Sequence, residues 1–527
     1  MKKLTARESA RIERAVANGC YKEGWIRGRF FLFLTLILIQ ILLYACLAYS
    51  VVYGFGIGAA AQALVGAVSL FAAFCVLNSD APNFSKTGWI LLLWLFPVIS
   101  APIYFLYGNG RAAKGLRARL AQAKAEIPQT ENAFLQQKDR LDGADSVSRY
   151  LQSYAAAAAY TDGNICYYDD GKKLYAAMQT AVDGATKFIL VEYFIIKQGK
   201  LWTDFLKRLL QRAACGVQVR ILYDDFGCIN FLPYRYAEYL ESLHENVRCI
   251  AFNRVTPVLA LRINNRDHRK MLVVDGRVAF TGGINLADEY VGEELRFGVW
   301  KDTGVCVEGG AVNAFTKSFF CLWNAVYSQP ERVEDYLVTP QIKGNGRGLI
   351  QPFDDSPLDR LGVGEGLYAE LLNRAERYAY IFTPYLVLDE YLRGALRHAA
   401  ARGVDVRIVT PGIPDKRTVF RLTRANYTAL RQAGVKIYEY TPGFIHAKSI
   451  VCDGKRAVVG TVNFDYRSLY HHFENGVYFT DERAVAALVR DCEETFALST
   501  LCTDSRLQRS VFGRVADCFL RIFETLL

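Results

Sequence analysis

The stretch that decides the fold reads Asn265-Arg-Asp-His-Arg-Lys-Met-Leu-Val-Val-Asp275, with Thr281-Gly-Gly-Ile-Asn285 close behind it. Its chemistry lies in His268, Lys270, Asp275 and Asn285. The same spacing returns as His446, Lys448, Asp453, Gly460-Thr461 and Asn463. With only 6 His among 527 residues, two copies in one register are not an accident. In a β-strand, residues i and i+2 share a face. His268 therefore stands beside Lys270 and His446 beside Lys448, while Arg269 and Ala447 face the other way. Asp275-Gly276 and Asp453-Gly454 are hairpin signals. Each return strand leads to small residues and an Asn, which brings that amide back beside the same His and Lys.

Imidazole, ammonium and amide groups on one surface suit phosphate chemistry. Lys offers a compact cation and Asn neutral donors to phosphoryl oxygens. An imidazole with an ordinary pKa of ~6.5 serves as nucleophile or proton donor at neutral pH. Two copies supply two imidazoles, so one attacks phosphorus while the other protonates the leaving alcohol. The two Lys and two Asn stabilise the charge that develops, so the reading needs no metal and no cofactor. No G-x-x-x-x-G-K-[ST] loop or other nucleotide fingerprint is present. Asp275 and Asp453 keep two open readings, as turn residues or as groups that orient the catalysts. His471-His472 looks like a metal pair, but neighbours on a strand point in opposite directions, which argues against joint ligation. His244 and His398 sit in polar helical surroundings and read as structural.

Outward from the motif, residues 150–504 alternate short β-branched runs with amphipathic helices, an α/β pattern. That pattern is duplicated. Gly171-Lys-Lys-Leu-Tyr-Ala-Ala leads to Phe188-Ile-Leu-Val-Glu-Tyr-Phe, and Gly364-Glu-Gly-Leu-Tyr-Ala-Glu leads to Tyr380-Ile-Phe-Thr-Pro-Tyr-Leu. Gly216-Val-Gln-Val-Arg-Ile-Leu then matches Gly403-Val-Asp-Val-Arg-Ile-Val. The spacing predicts a first half over 150–345 and a second over 346–504, joined within 341–359. The first half takes longer to reach its His, which predicts an insertion with a helix within 226–264.

Three apolar segments, 30–53, 57–77 and 89–107, each approach the ~20 residues that cross a bilayer. Behind a long basic head they predict a membrane anchor over 1–110 rather than a cleaved signal peptide. The head and the run Arg111, Lys114, Arg117 and Arg119 both belong on the cytoplasmic side by the positive-inside rule. Three crossings cannot satisfy that, so one segment is interfacial or re-entrant. Residues 111–149 read as a helical linker. The tail 505–527 spaces Phe512, Val515, Phe519, Ile522, Phe523 and Leu526 helically among arginines, as an interfacial helix on anionic lipid does. The composition, 52% hydrophobic and 22% charged, owes its greasiness to the N-terminus. A net charge of +10 favours anionic partners. The 13 Cys, odd in number and without C-x-x-C, read as reduced thiols.

Taken together, these residues resemble the phospholipase D superfamily through its two H-x-K-x-x-x-x-D motifs, and more narrowly its bacterial cardiolipin synthases. Supporting stretches include Glu192-Tyr-Phe, Tyr223-Asp-Asp-Phe-Gly227, Trp300-Lys-Asp302, Gln351-Pro-Phe-Asp-Asp-Ser-Pro357 and Asn463-Phe-Asp-Tyr-Arg-Ser468. The resemblance implies a duplicated phospholipase D-like α/β sandwich, two pseudo-symmetric halves behind an N-terminal α-helical membrane anchor. It implies His268 as nucleophile and His446 as general acid and then base. Lys270, Lys448, Asn285 and Asn463 would bind phosphate, Asp275 and Asp453 would be supporting acids, and Glu474 would orient a catalytic His. The sequence departs from the family pattern at Gly282-Gly283, where Gly-Ser is commoner, and at His472, where Asn is common.

The implied reaction transfers a phosphatidyl group between two phosphatidylglycerol molecules through phosphohistidine, giving cardiolipin and glycerol in the bacterial plasma membrane, with the catalytic side cytoplasmic. Its rivals are a membrane-bound phospholipase D using water, or a transferase using another alcohol or phosphatidylethanolamine. A nuclease is disfavoured by the anchor, so no nucleic-acid partner is expected. A lipid-binding scaffold with a dead site is disfavoured because both motifs are complete. Nothing in the sequence sets the oligomeric state.

Overall fold

The computed structural model describes residues 59–79, 83–105, 114–128, 145–254, 265–339, 348–359 and 361–503, with isolated positions at 38, 41, 42, 45, 49, 517, 520 and 521. The basic head, nearly all of the first apolar segment, residues 129–144 of the linker and all but three positions of the tail 505–527 lie outside the described residues.

In chain order the first sheet region forms β1 (Asn164–Tyr168), β2 (Phe188–Tyr193), β3 (Gln218–Asp224), β4 (Val247–Phe252), β5 (Arg266–Asp267), β6 (Lys270–Val274), β7 (Val278–Gly282), β8 (Val299–Lys301) and β9 (Gly304–Glu308). The second forms β10 (Ile350–Asp355), β11 (Tyr378–Phe382), β12 (Leu386–Val387), β13 (Asp405–Pro411), β14 (Lys436–Tyr440), β15 (Gly443–Ile445), β16 (Ser449–Cys452), β17 (Arg456–Gly460), β18 (Phe464–Asp465), β19 (His472–Phe479) and β20 (Ser499–Leu501). The sheet orders are β1-β9-β7-β6-β2-β3-β4 and β10-β19-β17-β16-β11-β13-β14-β20. They match strand for strand as far as β14. Parallel pairs fall in equivalent places, β2/β3/β4 and β11/β13/β14. The repeated sequence is a repeated topology.

Central strands buried on both faces explain the unbroken apolar runs: every residue of β2 and of β6 is buried. Helices Gly171–Asp183, Lys200–Ala214 and Tyr236–Leu243 cover the outer face of the first sheet. Val363–Arg374, Glu390–Ala401 and Arg417–Gln432 cover that of the second. Short polar caps start several of them; Asp170 accepts from Lys172 N and Asp389 from Leu392 N. The inner faces of both sheets share one core with helices Val312–Val326 and Glu482–Ala497.

Both Asp-Gly hairpins form as type I′ turns, with φ of 54° and 64° at Asp275-Gly276 and 58° and 66° at Asp453-Gly454. Two further pairings tie the halves together. β5 runs parallel to the start of β19, with Arg266 opposite His472 and Asp267 opposite Phe473. β8 runs parallel to β15, with Lys301 opposite Ile445. Each half lends a short strand to the other.

Four expectations need correction. The helix within 226–264 is not an insertion, because Tyr236–Leu243 followed by β4 has a counterpart in Arg417–Gln432 followed by β14; the extra length follows β4. Within the joint 341–359, Ile350–Asp355 form the edge strand β10, paired to β19 through Ile350 and Phe479. Residues 150–157, expected to open the first half, pack on the second, where Leu151 and Ala157 join its outer core and Gln351 Nε2 donates to the Ala157 carbonyl at 2.9 Å. The third apolar segment is two helices, Asn83–Leu95 and Pro97–Ile103. Proline has no N–H to continue a helix but suits the first position of a new one, so the helix breaks at Phe96. Among the described residues, no helix is long and apolar enough to cross a membrane.

Candidate functional site

The borrowed strands fix the two motif histidines. As β5 leaves its pairing with β19, His268 N donates to the Phe473 carbonyl at 2.9 Å. The next residue of β19 is Glu474, whose two carboxylate oxygens each stand 2.9 Å from His268 Nδ1. As β15 leaves β8, His446 N donates to the Lys301 carbonyl at 2.7 Å. The next residue after β8 is Asp302, whose Oδ2 lies 2.9 Å from His446 Nδ1. A carboxylate only accepts, so each acid favours the neutral tautomer with its proton on Nδ1, which leaves the lone pair on Nε2. Each histidine is oriented by an acid from the opposite half.

The lysines pack alongside. Lys270 Nζ donates to the His268 carbonyl at 2.7 Å. Lys448 Nζ donates to the His446 carbonyl and stands 2.8 Å from His446 Nδ1. All four motif side chains are buried, the lysines to 1% exposure. Burial, with the positive charge of Lys270 and Lys448, pushes the His268 pKa well below the usual imidazole range. Burial and then Lys448 bring His446 down to about 4, against the pull of Asp302. Burial lowers Lys270 to about 8 and Lys448 to about 7. Burial opposes the charge on Asp302, yet His446 and Lys448 hold its pKa below the usual carboxylate value. The site is a buried pair of lysines, two imidazoles and two buried acids, suited to an oxyanion that brings its own negative charge.

The two Asn differ. Asn285 Oδ1 accepts from Ile195 N at 3.0 Å and its Nδ2 donates to the Tyr290 hydroxyl at 2.7 Å, so the amide is largely committed to the protein. Tyr290 in turn sets its ring edge against His446, 5.3 Å between centroids. Asn463 is 4% exposed and its Oδ1 has no hydrogen-bond partner among the described residues. Phe194 packs edge-on against His268 at 5.0 Å and faces Lys270 Nζ at 5.6 Å.

Asp275 and Asp453, expected as supporting acids, are not with the histidines, and that expectation is corrected. β6 carries Asp275 away from His268, a span of about 20 Å for extended chain. There its carboxylate accepts from Thr186 N, Thr186 Oγ1, Lys187 N and Phe188 N at 2.7–3.0 Å. Burial alone would raise its pKa, but these bonds hold it low. Asp453 accepts from Glu376 N, Arg377 N and Tyr378 N. Both lock the loop that enters the strand beside them. Asp302 is the residue that motif reading passed over. A signal existed, since Asp302-Thr303-Gly304 and Glu474-Asn475-Gly476 share one pattern, and Gly304 and Gly476 face Gly282 and Gly460 in equivalent strand pairs.

Arg269 points away from the site, as its place on the strand requires. It is buried and pairs with Glu192 at 2.5 Å and Asp267 at 3.2 Å. As for metal-binding capacity, donor atoms of His268, His472 and Glu474 all lie within 4.8 Å of one another, and His471 is not part of that group. An apolar-lined cavity of about 690 Å³ lies elsewhere, between helices Lys114–Glu126 and Val312–Val326, and neither motif histidine lines it.

The chain is similar to known proteins over most of its length. A family described as cardiolipin synthase, PLD-like domain, matches residues 178–301 and again 368–496. One described as phospholipase D-nuclease N-terminal matches residues 67–109. An uncharacterized protein of Streptococcus mutans is 39% identical over 82% of this chain and 94% of its own length. Cardiolipin synthase 2 of Bacillus anthracis is 32% identical over 87% of this chain and 90% of its own. Among solved structures, phosphatidylserine synthase of Haemophilus influenzae superposes with a TM-score of 0.55 at 12% identity, covering 73% of this chain and 100% of that one, which shows a shared fold.

Proposed function

The chain belongs to the cardiolipin synthases of the phospholipase D superfamily, phosphatidyltransferases, and from that premise we propose that His268 and His446 carry out the transfer in two in-line steps. The observation that carries the reading is the pair of crossed dyads, which leaves a lone pair on each Nε2. In the first step, His268 Nε2 bonds to the phosphorus of one phosphatidylglycerol. The bond from phosphorus to the departing glycerol oxygen breaks, and His446, whose Nε2 lone pair takes up a solvent proton when the anionic phosphodiester binds, gives that oxygen the proton. In the second, His446 takes the proton from a glycerol hydroxyl of another phosphatidylglycerol. That oxygen bonds to phosphorus, the N–P bond breaks, and cardiolipin leaves with His268 restored.

Lys270, Lys448 and Asn463 hold the phosphoryl oxygens, and Asn285 contributes the remaining N–H of its amide. The anionic phosphodiester offsets the lysine charges that depress the pKa of His446, so substrate binding itself readies the general acid. One phosphodiester replaces another, so no nucleotide is needed.

The first part of the chain serves as the membrane anchor, and the transfer faces the cytoplasmic side of the bacterial plasma membrane. Supporting this, helices Ala59–Leu77 and Asn83–Leu95 present Leu64, Leu70, Phe71, Phe74 and Trp94 outward, from 60% to 77% exposed. The division into an anchor over 1–110, a linker, two halves meeting near 346 and a terminal helix is part of the same reading.

The test is incubation of the reconstituted protein with phosphatidylglycerol as its only phospholipid. Cardiolipin and glycerol are expected in equal amounts, with an acid-labile phosphatidyl adduct trapped on the wild type and absent from His268→Ala. Phosphatidic acid without cardiolipin would assign water as the acceptor instead.

A further inference from the structure

His472 has no part in the two transfer steps, yet it is 8% exposed and stands against the nucleophile dyad. Its ring centroid is 5.3 Å from that of His268. Its Nδ1 lies 3.6 Å from Glu474 Oε1, beyond hydrogen-bond reach, and has no hydrogen-bond partner among the described residues. The third corner is closed by His268 Nδ1, 2.9 Å from the same carboxylate. Two imidazoles and a carboxylate, all buried, thus converge without a partner for one of the nitrogens.

We propose that His268, His472 and Glu474 form an inhibitory site for one zinc-like divalent cation. Zinc takes imidazole nitrogen at about 2.0–2.1 Å and carboxylate oxygen at about 2.0–2.2 Å, which puts tetrahedral donors about 3.4 Å apart. The donor atoms here lie within 4.8 Å of one another, so side-chain rotations of an ångström or so complete the site. Lys270 and Lys448 oppose a dication at this place. That restricts the ligand to ions with a strong preference for imidazole nitrogen and excludes Mg²⁺ and Ca²⁺, which prefer oxygen ligands.

The consequence follows from one proton. Neutral His268 carries its proton on Nδ1, against Glu474. A cation on Nδ1 uses that nitrogen's lone pair, so the proton must sit on Nε2, the atom that attacks phosphorus. Metal binding removes the nucleophile by changing its tautomer, and removing the metal restores it. This effect on turnover rests on the role proposed for His268; the binding itself does not.

Cobalt(II) titrated into the purified full-length protein in detergent tests the binding directly. One ion per chain with visible ligand-field bands is expected in the wild type, and neither in His472→Asn. In vesicles, zinc should stop cardiolipin formation, EDTA should restore it, and His472→Asn should turn over normally while needing at least about tenfold more zinc for the same inhibition. Unchanged cobalt binding or unchanged zinc sensitivity in the variant would overturn the proposal. Zinc-edge X-ray absorption of the wild type gives a check that needs no variant. Imidazole scattering without sulfur is expected, and sulfur in the shell would assign the metal to cysteine and overturn the site. Should the protein make no cardiolipin, the cobalt and X-ray measurements decide the site alone.

Discussion

Glu474 and His268, 206 positions apart in the chain, stand with both carboxylate oxygens 2.9 Å from one imidazole nitrogen. The mirror contact, Asp302 to His446, spans 144 positions. Both arise because a short strand of one half pairs with the other half immediately before its histidine. Neither half can orient its own imidazole, so the two repeats are bound into one enzyme by the geometry of the site as well as by the shared core.

Replacing either acid by its amide keeps the volume and removes the charge that fixes the tautomer. Glu474→Gln and Asp302→Asn should each lower kcat for cardiolipin formation by about 10² to 10⁴-fold, as loss of an orienting acid does in hydrolytic triads, with little change in KM. The measurement is initial rate against phosphatidylglycerol concentration in mixed micelles. A drop of less than threefold in both variants would show that the crossed dyads do not position the histidines.

The opposite outcome is expected for the motif aspartates. Asp275→Ala and Asp453→Ala unmake hydrogen bonds to buried loop N–H groups and should destabilise the fold by about 1–3 kcal/mol. Denaturant unfolding would read that loss. Turnover per folded molecule should stay within a few-fold of wild type, which separates a structural aspartate from a catalytic one.

The local parts of the site were legible in the sequence because their chemistry and geometry share one strand and one hairpin. His268 with Lys270, the Asp-Gly turn and the return to Asn285 need only strand alternation and turn preference. The repeat of helix and strand entries was legible for the same reason. The pairing of acids to histidines was not, because it depends on β5 reaching β19 and β8 reaching β15, contacts no local pattern encodes. Glu474 was expected to orient a histidine, without a sign of which one. Asp275 stayed open between a turn residue and an orienting acid because a carboxylate at that spacing suits both roles locally, and only the strand geometry carries it to the far end.

Gly283 stands where the second repeat has Thr461, and the difference has a physical cause. A Cβ at 283 would collide with the Asp302 carboxylate, whereas the Thr461 hydroxyl donates to Glu474. Gly283→Ser should therefore push Asp302 away from His446 and lower kcat by about 10²-fold or more, although a serine there would add a polar group to the site. Thr461→Gly, which removes a donor but creates no clash, should cost less. Equal activity of Gly283→Ser and wild type would show that the strand shifts to accommodate the side chain.

Oxyanion binding should weaken with rising pH. With Lys448 at about 7 and Lys270 at about 8, the site loses its two positive charges as pH passes from about 6 to 9. The inhibition constant of sulfate, whose charge is fixed over this range, should rise by roughly tenfold or more across it. In Lys448→Met the first part of that rise should disappear, leaving only the Lys270 limb.

The same lysine should trade stability for function. The pKa of Lys448 falls from 10.5 to about 7, first because it is buried, so the fold as a whole disfavours its charge even with Asp302 beside it. The sign follows from linkage. Below pH 7 the ammonium is charged in both folded and unfolded chains, and the folded state carries the full cost. Between pH 7 and 10.5 the folded chain gives up the proton first, and the cost fades. Lys448→Met fills a similar volume without a charge. It should abolish cardiolipin formation yet stabilise the protein by on the order of a few kcal/mol at pH 6, an advantage that shrinks towards pH 10. Thermal unfolding in detergent at the two pH values reads both the gain and its decline. A variant less stable than wild type at pH 6 would mean that the lysine charge is satisfied inside the empty site, and that the fold holds no cost in reserve for binding phosphate.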